Sequence, residues 1–253
     1  MTTAGPGGAG VVAEEVRRRA AARAELMAWA DAEPTTDAHQ DVLRRRYLAH
    51  LAVPGALDRD GCSDHLTASA LVLDPTGDRT LLVLHRKGGF WVQPGGHVEP
   101  GDAGLVAAGL RELLEETGVP ASAVRADPHP VDLDHHELSS AFGRCRSHLD
   151  VAVLAVVDPA AATTASVESD AVAWWPLERL PDGRDGGPAV AADLPARLRR
   201  AARVLRQGAA GVLDAPSAGA SRSAAPSSPS SSAPPSAGPE PSRRASAADH
   251  PSR

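Results

Sequence analysis

The chain has 253 residues, 42% of them hydrophobic and only 3% aromatic, which is enough for one domain plus extensions around a mostly aliphatic core. A formal charge of -6, with the arginines of Arg17–Arg19 and Arg44–Arg46 diluted by Glu14, Glu15, Asp37 and Asp41, excludes a basic face for duplex nucleic acid. Met1 to Gly10 lacks the pattern of a signal peptide, and the longest apolar run, Val151 to Val157, is too short to span a bilayer. Two unpatterned cysteines, Cys62 and Cys145, belong to no metal spacing, so a soluble, cytoplasmic protein with reduced thiols is expected.

Along the chain, Val11 to Asp31 is rich in helix formers, and a second helix is expected from about Thr36 to Leu51, capped by Thr36 or Asp37. Pro34 separates the two, and residues 1–59 read as a helical extension packing on the domain that follows. Leu66 to Leu73 and Thr80 to His85 are strands joined by the turn cluster Asp74–Asp78, which predicts a hairpin. Phe90 to Val92 leads into Gln93-Pro94-Gly95-Gly96, and Ala103 to Thr117 reads as a helix stopped by Gly118. Further strands are expected at Val131–Leu133, His148–Val157 and Ala171–Trp175, and a last amphipathic helix at Leu194–Arg206. The domain is assigned to residues 60–207. Residues 208–253, rich in Ser, Pro and Ala, are expected to be a disordered tail.

The chemistry concentrates on one helix. At about 100° per residue, Glu115 lies about 60° to one side of Glu112 and Glu116 about 40° to the other. Three carboxylates therefore share a face, while Val106, Leu110, Leu113, Leu114 and Thr117 fill the opposite arc. Crowded carboxylates raise one another's pKa unless a cation sits among them, and Arg111 alone does not neutralise three. Hard oxygen donors in this number suit Mg²⁺ or Mn²⁺. Taken alone, E-x-x-E-E is more often an ordinary solvated acidic face.

The context makes it specific. Gly96, Arg111, Glu112, Glu115, Glu116, Gly118 and Val119 stand where the Nudix box has its glycine, R-E-x-x-E-E-x-G and aliphatic residue, and the chain resembles the Nudix hydrolase family. Leu84-His85-Arg86-Lys87 and Trp91-Val92-Gln93-Pro94 look like the approach to that box, and Trp174-Trp175-Pro176-Leu177 like the family's late strand. The resemblance implies an α+β Nudix fold, a mixed sheet sandwiched between helices. It also implies metal-assisted attack of water on a phosphoanhydride of a nucleoside diphosphate linked to another moiety.

By the same resemblance Glu112, Glu115 and Glu116, with the Gly96 carbonyl, would hold Mg²⁺ (or Mn²⁺). Arg111 would orient the glutamates, and Glu115 or Glu168 would be the general base. Arg86 and Lys87, at a strand end beside the glycine loop, are candidates for phosphate contact, and Glu99 for the surroundings of the metal. His97 reads as a loop residue facing solvent or the site, and His135 and His136 as loop or surface residues, because neighbours on a strand point to opposite faces.

Two departures stand out: Asp102 replaces the usual glutamate, and the gap from it to Arg111 is one residue longer than usual. The extra residue is expected in the loop at Ala103-Gly104-Leu105. The same departures favour an alternative, a Nudix-fold nucleotide-binding or sensor module that no longer hydrolyses. The expected partner is a small nucleotide-type diphosphate, with no membrane and no nucleic-acid duplex, and a homodimer through the helical arm is left open.

Overall fold

The computed structural model describes residues 6–32, 37–138 and 145–213. Four helices and seven strands run in the order α1 (Pro6–Ala32), α2 (Ala38–His50), β1 (Asp64–Leu73), β2 (Arg79–His85), β3 (Phe90–Val92), β4 (Gly95–His97), α3 (Leu105–Thr117), β5 (Val124–Glu137), β6 (Ser147–Val157), β7 (Ser169–Pro176) and α4 (Leu194–Leu213). The strands form one mixed sheet ordered β3-β2-β1-β6-β5, with β4 paired to β1 and β7 to β2.

β1 is its spine. All but its first residue are buried, and it runs parallel to β6 from Asp64↔Ser147 to Leu73↔Val156. Strands covered on both faces read as continuous apolar runs, which is why β1 and β6 were visible in the sequence. Side chains alternate between the faces. Leu66, Ala68, Val151 and Leu149 pack with α1, α2 and α3, whereas Leu71, Leu73, Ala152 and Leu154 pack against Leu194, Leu198, Ala201 and Ala202 of α4. The helices thus cover both faces, as the fold class required.

The N-terminal arm shares the domain's core. Ala22, Leu26 and Trp29 of α1 and Leu43 and Tyr47 of α2 are buried in the cluster that holds Leu66 and Leu105. Asp37 caps α2, its carboxylate accepting from the His39 and Gln40 N–H groups, a contribution of about 1 kcal/mol. Thr36, the alternative cap, lies outside the described residues. Buried Gln40 also stands in for a missing strand at the edge of β5, donating to the Leu133 carbonyl at 2.9 Å and accepting from the Leu133 N–H at 2.8 Å.

Three expectations need correction. The β1–β2 hairpin is closed only at Leu73↔Thr80, because β2 pairs along its length with β7. The strand expected at Val131–Leu133 runs from Val124 to Glu137, so His135 and His136 lie in a strand rather than a loop. Its sequence hid this because Pro130 sits between register shifts on the outermost strand, where a missing N–H is tolerated. Finally, α4 continues to Leu213, so 208–213 is helix; the rest of the expected tail lies outside the described residues. No helix among the described residues is long and apolar enough to cross a membrane.

Candidate active site

α3 starts at Leu105, so of Ala103-Gly104-Leu105, where the extra residue is expected, the first two lie before the helix. Nothing in the local sequence caps that start. Instead Glu25 reaches over from α1, its Oε2 accepting from the Leu105 N–H at 2.7 Å and the Val106 N–H at 3.4 Å. A carboxylate at a helix N-terminus satisfies otherwise orphaned N–H groups and opposes the helix dipole. Burial pushes the Glu25 carboxyl above its usual range, and the two N–H contacts pull it back. Gly104 has an extended backbone open to any residue, and a Cβ there would stand 2.1 Å from Glu25 Oε1, so a larger residue would have to move the capping carboxylate. At the other end Gly118 closes the helix at φ 63°, with its N–H on the Leu114 carbonyl.

Arg111 gathers the site. Its Nε and Nη2 meet the two oxygens of Asp102 at 3.0 and 3.1 Å, a two-point pair with a carboxylate 6% exposed. Its Nη1 donates to Glu112 at 3.0 Å and Glu115 at 2.9 Å, and Nη2 also donates to the His97 carbonyl at 2.9 Å. Asp102 in turn accepts from the Glu99 N–H at 2.7 Å. One methylene fewer than glutamate therefore does not cost the loop its anchor. The longer loop leaves the carboxylates of α3 facing it.

β4 runs antiparallel to β1, placing Gly96 opposite Ala68, on the face of the sheet that α3 covers. A Cβ at Gly96 would lie 2.5 Å from Glu112 Oε1, so only glycine lets strand and carboxylate approach this closely. Glu116, 8% exposed, accepts from the Gly95 N–H at 3.0 Å. Burial raises its carboxyl to about 7; the Gly95 contact opposes this, and the charges of Glu112, Glu168 and Glu115 add to it. Glu112 is raised as well, chiefly by burial and against the pull of Arg111. One guanidinium thus faces Asp102, Glu112 and Glu115, with Glu116 beside them. Carboxylates so placed are of the type that could hold a hard divalent cation.

A family model for the NUDIX domain matches residues 63–194, a little more than half of the chain. The chain belongs to the Nudix family. Solved structures similar to it include a Nudix-family hydrolase from Clostridium perfringens, at 20% identity over 56% of this chain and 97% of that one, with a TM-score of 0.44. An Ap4A hydrolase from C. elegans aligns at 21% identity over 56% and 98% (TM-score 0.46). The NUDIX domain of Shewanella oneidensis NrtR, solved with ADP ribose, aligns at 22% over 58% and 92% (TM-score 0.43).

The structure brings Gly96, Arg111, Glu112, Glu115 and Glu116 of the Nudix box together with Asp102. Glu99 lies at its rim, 4.0 Å from Arg111. Glu168 approaches from outside the box. Its loop is tied to the end of α3, where the Thr164 and Ser166 N–H groups donate to the Thr117 and Glu116 carbonyls. Arg86 is spent on this same loop: its Nε meets Asp170 at 2.6 Å, its Nη1 donates to the Val167 carbonyl, and its backbone N–H donates to the Glu168 carbonyl at 3.2 Å. Lys87 is exposed in the turn after β2.

His97, expected to face solvent or the site, is half-buried and turned away from the carboxylates. It ends β4 opposite Thr67, so its side chain leaves the carboxylates and joins His65 and His148 on the other face. His135 lies against the Arg46 guanidinium, and His136 Nδ1 lies 2.8 Å from Asp134. Sequence reasoning missed the part played by Glu25, because its contact spans 80 residues and no local signal marks it.

Proposed function

We propose that this Nudix chain hydrolyses a phosphoanhydride bond of a nucleoside diphosphate linked to another moiety. In this reading Glu112, Glu115, Glu116 and the Gly96 carbonyl hold Mg²⁺ or Mn²⁺. The observation carrying the reading is the surplus of carboxylates around the single guanidinium of Arg111, with Glu116 raised to about 7 by burial and, less, by the neighbouring carboxylates. A bound divalent cation supplies charge neutralisation on the diphosphate oxygens and acidifies a water nucleophile.

The chain's own residues do the rest. Arg111 fixes Glu112, Glu115 and the loop carrying Asp102, and touches no substrate. Of the two candidate bases we assign Glu168, because Glu115 Oε2 already accepts from Arg111 at 2.9 Å, whereas Glu168 is exposed beside Glu116. It takes the proton of the attacking water. Arg86 holds the Glu168 loop in place, and Lys87, exposed in the turn after β2, is the candidate for contact with a phosphate oxygen. Two unbridged thiols, Cys62 and Cys145, fit action in the cytoplasm.

The non-hydrolysing sensor alternative rested on Asp102 and the longer loop; with the Arg111–Asp102 pair intact, no observation favours it. The test is a phosphate- and nucleotide-release assay over nucleoside triphosphates, nucleotide sugars and dinucleotides, with Mg²⁺ or Mn²⁺. Metal-dependent turnover that Glu116→Gln abolishes supports the proposal. Nucleotide binding without turnover of any of these substrates would replace it with the sensor reading.

A further inference from the structure

The face of the sheet turned away from α3 carries a second cluster, made of residues that hydrolysis does not use. His65 lies on β1 directly opposite His148 on the parallel strand β6. His97, at the end of β4, is opposite Thr67, two residues along β1 from His65 and therefore on the same face. Cys145 comes in two residues before β6. The three rings have centroids 5.0 to 5.4 Å apart, and one ligand atom from each of the four residues lies within 4.8 Å of the others.

An independent observation marks this as more than a crowd of side chains. His65 is fully buried and its Nε2 has no hydrogen-bond partner; the Nε2 atoms of His97 and His148 are likewise buried without one. His65 Nδ1 lies 2.9 Å from the Cys62 carbonyl. A carbonyl only accepts, so the ring proton is on Nδ1 and the lone pair is on Nε2. An imidazole pinned through one nitrogen to a backbone carbonyl is how proteins orient a histidine toward a metal.

We infer that His65, His97, Cys145 and His148 form a structural site for a transition-metal ion of the Zn²⁺ class, distinct from the carboxylate site. Three nitrogens and one thiolate suit zinc and not Mg²⁺, and four protein ligands fill a tetrahedral shell, leaving no position for substrate. Bond lengths of about 2.0–2.3 Å put tetrahedral ligand atoms roughly 3.3–3.8 Å apart, so a contraction of about 1 Å closes the cluster. His136 stays outside the four, its ring 5.5 Å from His148 and its Nδ1 on Asp134.

Such an ion joins the beginnings of β1 and β6 to the end of β4. His97 follows Gly96 directly, and its carbonyl accepts from Arg111. A metal on the His97 ring therefore pins, from the far face, the strand whose backbone meets Glu112 and Glu116. The inference does not depend on the hydrolase reading, and its tests read metal and thiol rather than turnover.

The full chain, purified without chelator and dialysed, is expected to retain about one equivalent of zinc, as structural sites do. Glu116→Gln keeps it. Cys145→Ser and His148→Gln weaken zinc binding by more than about 100-fold, beyond the loss typical of residues that only orient ligands. Co²⁺ in place of zinc gives thiolate-to-cobalt charge-transfer absorption that Cys145→Ser lacks. Should the variants fail to fold, the wild-type chain decides: Zn²⁺ slows alkylation of Cys145 at least about tenfold more than that of Cys62, and chelator restores it. Folded wild-type protein that binds no zinc, or Cys145 alkylation indifferent to zinc, overturns the inference.

Discussion

Arg111 and Arg197 are both guanidiniums facing three carboxylates, yet the acids around Arg197 share a second guanidinium and those around Arg111 do not. Arg197, buried on the α4 side of the sheet, pairs with Asp132 at 2.6 Å and Asp150 at 2.7 Å, with Asp193 at 3.7 Å. A second cation, Arg200, shares Asp132 at 2.7 Å and also meets Asp37. Asp150 is further satisfied by the hydroxyls of Thr67 and Ser69. Around Arg111 the next charges are acids, Glu116 and Glu99. The same pairing chemistry therefore produces a closed strut on one face and an unfinished site on the other. What separates them is the number of cations.

The comparison predicts opposite signs for charge removal at the two places. Arg197→Met takes the guanidinium from two buried carboxylates, leaving Asp150 without a cation and Asp132 with Arg200 alone, and should cost about 3–5 kcal/mol in chemical denaturation, the usual loss when a buried pair is broken from one side. Glu116→Gln should instead stabilise the metal-free chain at pH 8, by on the order of 2–3 kcal/mol. The sign follows from linkage. A carboxyl raised from 4.5 to about 7 in the folded state gives stability that is complete below about pH 4.5 and lost as pH rises through 7. Metal-free wild type should thus lose stability between about pH 5 and pH 8, Glu116→Gln should flatten that slope, and Mg²⁺ should raise the melting temperature more at pH 8 than at pH 5. A flat wild-type profile would mean that Glu116 is already compensated.

A smaller effect tests how the unbalanced site is held. Glu25→Ala removes the cap that α1 supplies to α3 and should cost about 1 kcal/mol, with Glu25→Gln, which keeps an acceptor oxygen, costing less. Thermal melts of the two variants distinguish capping from mere bulk.

The Nudix box was legible because its chemistry is local: Arg111 to Gly118 lie within two helical turns, and the helix period alone puts three glutamates on one face. β1, β6 and the buried face of α4 were legible from apolar pattern. What escaped was set by long-range partners. Glu25 meets Leu105 only because α1 crosses the start of α3, and β5 conceals itself behind Pro128, Pro130 and the polar run from Asp132 to Glu137. The cluster of His65, His97, Cys145 and His148 has no recognisable spacing, since the parallel pairing of β1 with β6 assembles it from distant segments. That Arg86 holds the Glu168 loop is visible only once β2 is paired with β7.

The most direct test of the account is a titration of the full chain with Mn²⁺, followed by the ion's own magnetic resonance, in wild type, Glu112→Gln/Glu116→Gln and Arg197→Met. The account predicts Mn²⁺ binding in the wild type, its loss in the double glutamine variant, and its retention in whatever fraction of Arg197→Met stays folded. Binding that survives loss of both glutamates would contradict it, because the unbalanced carboxylates of α3 would then not be where the metal goes.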